Sequence, residues 1–256
     1  LAWAAHIACA VGGALTLWKM PSLRDVDEVF HGQPCIRLCA GNGDTALVAL
    51  HGAQVLSWVA AGRERLYLSP RAVFDGQAAI RGGIPLCFPQ FNQRGPLPKH
   101  GLARNLAWAA QAPAWNAEQD AAVLRLWLRS SERTRALWPQ DFEVQLTVSL
   151  GAGWMRVHMD VCNTGNTPWE FTTALHTYLA VDVLERVRLD GLDGCMRWDA
   201  VRDQHSIQSG AVAIAAEYDS VFRTPEQPLC LHDGPQGLQI SQSPSLSSIV
   251  VWNPGA

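Results

Sequence analysis

Phe142-Glu143-Val144-Gln145-Leu146-Thr147-Val148 alternates apolar and polar side chains with period two. Successive side chains of a strand point to opposite faces, so this pattern suits a sheet with one face on a core. Gly151-Ala152-Gly153 then turns the chain into Trp154–Val161, which reads as the return strand of an antiparallel hairpin. Ala46–Leu50 and Gln54–Trp58 flank His51-Gly52 as a second hairpin-like pair, and Val123–Leu128 alternates apolar and longer side chains, less cleanly. Asn163–Pro168 is a further turn cluster. No long stretch combines helical periodicity with caps. Spaced strands and turns imply an all-β, antiparallel sandwich or barrel. The 256 residues, 48% of them apolar, suffice for one sizeable core, and large sandwiches reach this size undivided.

The net charge of −3 is small and of the wrong sign for nucleic-acid binding by bulk charge. Any anion must be held locally. The seven cysteines form no CxxC pair, and Cys35 and Cys39 lack a second pair to complete a zinc site. They read as free thiols of a reducing cytosol, and the expected location is cytoplasmic. Neither the Rossmann nor the P-loop glycine fingerprint is present.

Leu1–Trp18 contains no Lys, Arg, Asp or Glu. A targeting segment is one reading, weakened by the missing basic start, by His6 and by Gly12-Gly13. The other takes residues 1–19 as an upstream segment and Met20 as the native start. The expected organisation is then a single domain over 20–256, truncated at its C-terminus.

Two segments concentrate chemistry. In Ile80–Phe91 two glycines free the backbone and two prolines stiffen it, presenting Arg81 from a tightly packed stretch. Lys99-His100-Gly101-Leu102-Ala103-Arg104-Asn105 follows a loop rich in Gly and Pro. Loops on rigid sheets commonly carry sites. Guanidinium groups match phosphate oxygens bidentately and Lys adds a point charge, so a phosphate monoester suits the cluster. Each residue has a structural reading beside this one. Arg81 pairs with a carboxylate, Lys99 is a solvated loop charge, and His100 is a core histidine. Phe171–Leu179 reads as a strand with His176 on the face of Ala174 and Tyr178. His176 is either buried and structural or a proton donor to a developing alkoxide. Asp219 is either a turn aspartate or an acceptor for sugar hydroxyls. The tryptophans Trp108, Trp115, Trp127 and Trp138 read as filler.

In these residues the chain resembles the glucose-6-phosphate 1-epimerases of the aldose 1-epimerase superfamily. The resemblance runs from about Leu38 to the last residue. It is carried by His51–Trp58, Phe74-Asp75-Gly76, Ile80–Phe91, Lys99–Trp108, Phe171–Val183 and Val250–Pro254. Arg-Gly-Gly-Ile-Pro and His-Gly-Leu-Ala-Arg-Asn, in this order, are its specific motifs. It implies an antiparallel β-supersandwich with an open sugar cleft and neither metal nor organic cofactor. It implies that Arg81 and Arg104 hold the phosphate, that Lys99 and His100 contact substrate, that His176 is catalytic, and that Asp219 binds substrate. The implied activity is exchange of α and β anomers of hexose 6-phosphates by ring opening, in a monomer with a small-molecule substrate and no nucleic-acid or membrane partner.

The chain departs from the family pattern in three places. Ala78-Ala79 stands where many members carry Lys, and Lys99 stands where the family often has Gln. The family's general base is a glutamate roughly twenty or more residues beyond the Trp-Asn-Pro segment. No glutamate of this chain matches it; Glu217 and Glu226 are the nearest, and both precede Trp252. The alternatives are therefore a non-catalytic carbohydrate-binding module on the same fold, or mutarotation of unphosphorylated aldoses.

Overall fold

The computed structural model describes residues 2–9, 28–234 and 236–255. The expected boundary between residues 19 and 20 lies outside the described residues. All named strand pairs are antiparallel, and the one α-helix among the described residues is the single turn Glu132–Arg135. The all-β expectation holds.

The hairpin anticipated from period two is the longest pairing. Phe142–Gly151 runs against Trp154–Asn163, from Phe142 opposite Asn163 to Gly151 opposite Trp154. Val144, Leu146 and Val148 are buried, while Glu143, Gln145 and Thr147 are only partly so, as alternation requires. These strands join Ala121–Arg129 and the short Ala109–Ala110 and Ala114–Asn116 in a five-stranded sheet. A second five-stranded sheet contains Gln33–Cys39, Thr45–Ala49 and Val55–Ala60, with a register shift between Leu47 and Val48. A seven-stranded sheet runs from Gln204–Ile207 at one edge to Leu86–Cys87 at the other. Within it Ala2–Cys9 lies between Ser248–Asn253 and Trp169–Leu175. A four-stranded sheet holds Val187–Asp190 and Leu229–Asp233.

The main core lies directly beneath the Ile80–Phe91 segment. Phe88 is fully buried, and its ring meets Phe171 at 5.2 Å, Phe142 at 5.5 Å and Trp138 at 5.8 Å between centroids. Burying such a side chain contributes about 1.5–3 kcal/mol, and edge-on aromatic contacts add to it. The segment that presents Arg81 is therefore anchored by the same residue that closes the core.

One boundary differs from expectation. The strand expected over Phe171–Leu179 stops at Leu175. Leu86–Cys87 supplies its last partners, with Leu175 opposite Leu86, and His176 then donates its backbone N–H to the Pro85 carbonyl at 2.9 Å. Pro85 has no N–H to return that bond, so the regular ladder is interrupted there, and contact resumes two residues on, where Tyr178 donates its N–H to the Gly83 carbonyl at 2.8 Å.

Candidate active site

Arg81 stands on backbone seams. Gly83 donates its N–H to the Tyr67 carbonyl, and Ile84 donates to Val55, both at 2.8 Å. A Cβ on Gly83 would lie 2.1 Å from the Val55 carbonyl oxygen, and φ there is +59°. Only glycine fits that approach. The fully buried Gln54 donates from Nε2 to the carbonyls of Ile80 and Gly82, at 2.9 and 2.6 Å. Arg81 itself is exposed.

The Lys99–Asn105 segment rides on a single carbonyl. Leu102 and Ala103 both donate to Phe88 O, at 2.9 and 3.1 Å. Arg104 is partly buried; its Nη2 donates to the Lys99 carbonyl at 2.9 Å, while its Nε is sealed from solvent without a partner. Burial works against its charge. The loop between the two segments is tied by Gln90. Its Nε2 donates to the carbonyls of Asn92 and Leu97 and its Oε1 accepts from Leu97 N–H, each at 3.0 Å.

These seams bring the expected residues together. The rings of His100 and His176 are 5.5 Å apart and perpendicular. His176 stacks on Tyr178 at 4.8 Å and meets the edge of Trp252 at 5.8 Å. Trp252 is in turn the cross-strand neighbour of Asp219. Asp219 therefore reaches the histidine pair through one indole, and it sits in strand Tyr218–Arg223, not in a turn. The cations surround this group. Arg81 and Arg104 both act on the Tyr178 hydroxyl, Arg104 and Lys99 on His100, and Arg94 and Lys99 on Asp219. Among the described residues, no carboxylate lies within salt-bridge distance of Arg81, Arg94, Lys99 or Arg104. Among the described residues, Arg81 is therefore not paired with a carboxylate.

Burial sets the protonation states. It pushes His176 down to about 3, and His100 and Arg104 push the same way. It pushes His100 down to about 4, assisted by Arg104 and Lys99. Burial raises Asp219, against the pull of Arg94. Both imidazoles are neutral near pH 7, facing an excess of positive charge. Such a site favours an anion, and an anion in turn favours imidazolium. Among the described residues no three His, Cys, Asp or Glu side chains converge as a metal site would need.

Sequence reasoning missed Tyr178 and Trp252 as walls of the site, Gln90 as the brace of the loop, and Arg94. The Arg94 guanidinium lies 5.2 Å from the centre of the Trp198 ring, so the loop tip reaches across to the Met196–Asp199 strand. A basic residue in a Gly- and Pro-rich loop was the available signal for Arg94. Alternation, which puts Tyr178 on the face of His176, was the signal for Tyr178, and nothing local marks Gln90 or Trp252.

Residues 34–256 match the family described as aldose 1-epimerase. The chain belongs to the aldose 1-epimerase family. Within it, the chain is 34% identical over 241 residues to the "Putative glucose-6-phosphate 1-epimerase" of Salmonella typhimurium, covering 91% of this chain and 76% of that one. A protein of the same name from Cenchrus ciliaris is 33% identical over 220 residues, covering 82% and 67%. Among solved structures, a Salmonella typhimurium protein described as a putative mutarotase superposes with a TM-score of 0.69 at 31% identity, covering 83% of this chain and 71% of that one. The Slr1438 protein of Synechocystis shares the fold at TM-score 0.76 and 21% identity, over 93% and 85%. No helix among the described residues is long and apolar enough to cross a membrane.

Proposed function

We infer that this member of the aldose 1-epimerase family interconverts the α and β anomers of hexose 6-phosphates. The observation that carries this reading is that four cations, Arg81, Arg94, Lys99 and Arg104, none paired with a carboxylate among the described residues, act on the group formed by neutral His100 and His176, Tyr178 and half-buried Asp219. The names of the relatives at about one-third identity support it.

In this reading Arg81 and Arg104 hold the phosphate with charge-assisted hydrogen bonds and Lys99 adds a third cation. Lys99 and His100 contact the sugar, and Asp219 accepts from its hydroxyls. The phosphate brings negative charge into a cationic site. That opposes the burial and the repulsion that together hold His176 neutral and lets it take up the proton it delivers to the ring oxygen. A carboxylate removes the proton from the anomeric hydroxyl as the ring opens to the aldehyde. Rotation about C1–C2 turns the other carbonyl face inward, and reclosure gives the other anomer. By resemblance that carboxylate is a glutamate beyond Trp252-Asn253-Pro254. Glu217 and Glu226 are both exposed and neither pairs with His176. The reaction involves no change of redox state, and proton transfers at two oxygens suffice.

Freshly dissolved α-glucose 6-phosphate, followed by polarimetry or NMR with a purified version of the chain that includes the glutamate beyond Trp252-Asn253-Pro254, tests the reading. Exchange faster than in buffer is expected. A buffer rate with retained binding of the phosphosugar would instead support the carbohydrate-binding module.

A further inference from the structure

Two donors converge on one nitrogen of His100. The Asn92 backbone N–H donates to Nδ1 at 3.2 Å, and the Cys87 thiol lies 3.3 Å from the same atom. A backbone N–H only donates, so Nδ1 carries the lone pair. A neutral imidazole with a lone pair on Nδ1 bears its proton on Nε2. That nitrogen has no partner among the described residues and is not among the atoms sealed from solvent.

The thiol is aimed by its own surroundings. Cys87 is fully buried, its Cα pairs with Ala174, and its carbonyl accepts from the Thr173 hydroxyl at 2.8 Å. Burial pushes the thiol up to about 12, so it remains S–H, a donor, throughout the working range. The Asn92 N–H is aimed by the brace at Gln90 and by the hydrogen bond from His100 N–H to the Asn92 carbonyl at 3.0 Å. Adding a proton to Nδ1 would set two donors against it.

We propose that Cys87, with the Asn92 backbone, is a positioning device that holds His100 as a neutral Nε2–H donor and thereby reserves the proton of the histidine pair for His176. This deepens the anomer-exchange reading and rests on it. His100 is faced by His176, the ring of Phe91, the cations Arg104 and Lys99, and Cys87. His176 is faced by Tyr178, Trp252, His100 and Arg104. The two rings are close enough that one imidazolium opposes the other. Were His100 free to charge, His176 would take up its proton less readily. Held neutral, His100 presents one N–H, which suits a sugar oxygen with a lone pair and rejects a donor. His176 differs at the matching atom: its Nδ1 is sealed and without a partner. No donor there resists its protonation.

The test is the tautomer itself, read by NMR on the full chain carrying isotope-labelled histidine, between about pH 5 and 8 where a free imidazole titrates. His100 is expected to show an unprotonated Nδ1 and a protonated Nε2 throughout. Cys87→Val removes one donor at similar volume and should let the other tautomer or the cation appear. Its kcat/KM for α-glucose 6-phosphate should fall about tenfold, the size of one misdirected neutral hydrogen bond, chiefly in kcat. Cys87→Ser keeps a donor and should restore both spectrum and rate. A wild-type His100 that is protonated at Nδ1 near neutrality overturns the proposal, as does a Cys87→Val spectrum and pH–rate profile identical to wild type. If Cys87→Val fails to fold, the wild-type spectrum still decides. If the chain shows no anomer exchange, the anomer-exchange reading fails, and the spectrum still reports whether the lock exists.

Discussion

The rings of His100 and His176 meet at right angles 5.5 Å apart, with the edge of one directed at the face of the other. At that separation two unit charges repel by about 3 kcal/mol at an effective dielectric constant of ~20. The pair therefore takes up at most one proton beyond the neutral state at ordinary pH, and burial and the nearby cations oppose even that one. Substrate charge is what tips the balance.

His176→Asn removes the proton donor while keeping a polar side chain of similar reach. Anomer exchange of α-glucose 6-phosphate should slow by about 10²–10⁴-fold, the usual contribution of one acid–base partner. The thermal unfolding midpoint should fall modestly, since the lost ring packs against Tyr178, Trp252 and His100. Retained activity would remove His176 from the chemistry.

Arg81→Gln and Arg104→Gln test the phosphate grip. Each charge-assisted hydrogen bond contributes about 1.5–3 kcal/mol, so each variant should lose about 10–100-fold in kcat/KM for the phosphosugar. Unphosphorylated glucose should be turned over almost as before. Equal losses on both substrates would mean that the arginines shape the cleft without reading phosphate.

Stability should fall as the solution is acidified below about pH 6.5, the ordinary histidine value. Both histidines are depressed in the fold, to about 4 and about 3, and ordinary when the chain is unfolded. Between those values the unfolded chain binds more protons than the native one. Unfolding free energy therefore rises with pH across the window and is flat, for these groups, above it. Denaturant midpoints from pH 7 to pH 5 measure this, and His100→Asn with His176→Asn should flatten the slope. An unchanged slope in the double variant would assign the acid sensitivity elsewhere.

Gly83→Ala puts a methyl group 2.1 Å from a backbone oxygen at φ +59°. The strained conformation alone costs about 1–3 kcal/mol, before the collision is relieved. A drop in the denaturant midpoint and a loss of activity together are expected, because Arg81 moves with its neighbour. Full stability in this variant would show that the seam between Gly83 and Val55 yields easily.

The β character of the fold was legible because alternation is a local property. Phe142–Val148 carries its buried and exposed faces in its own seven residues. The end of the strand before His176 was not, because Pro85, distant in sequence, interrupts the ladder there. Arg81, Lys99, His100 and Arg104 were legible as a cluster, since motif and loop composition mark them. The contact between Trp252 and His176, and the one between Cys87 and His100, depend on segments far apart in the chain. Cys87 read as an inert thiol because burial and reactivity are all a lone cysteine reveals in a sequence.

The seams beneath Arg81 and Arg104 join backbone to backbone. Val55 meets Gly83, and Arg104 O lies 2.8 Å from where a Cβ on Gly52 would stand. Arg81 and Lys99 stand exposed above those seams, whereas the Arg104 side chain helps to hold them through the Lys99 carbonyl. A protein engineer can therefore treat positions 81 and 99 as interchangeable heads on a fixed mount, and vary substrate range there without redesigning the scaffold.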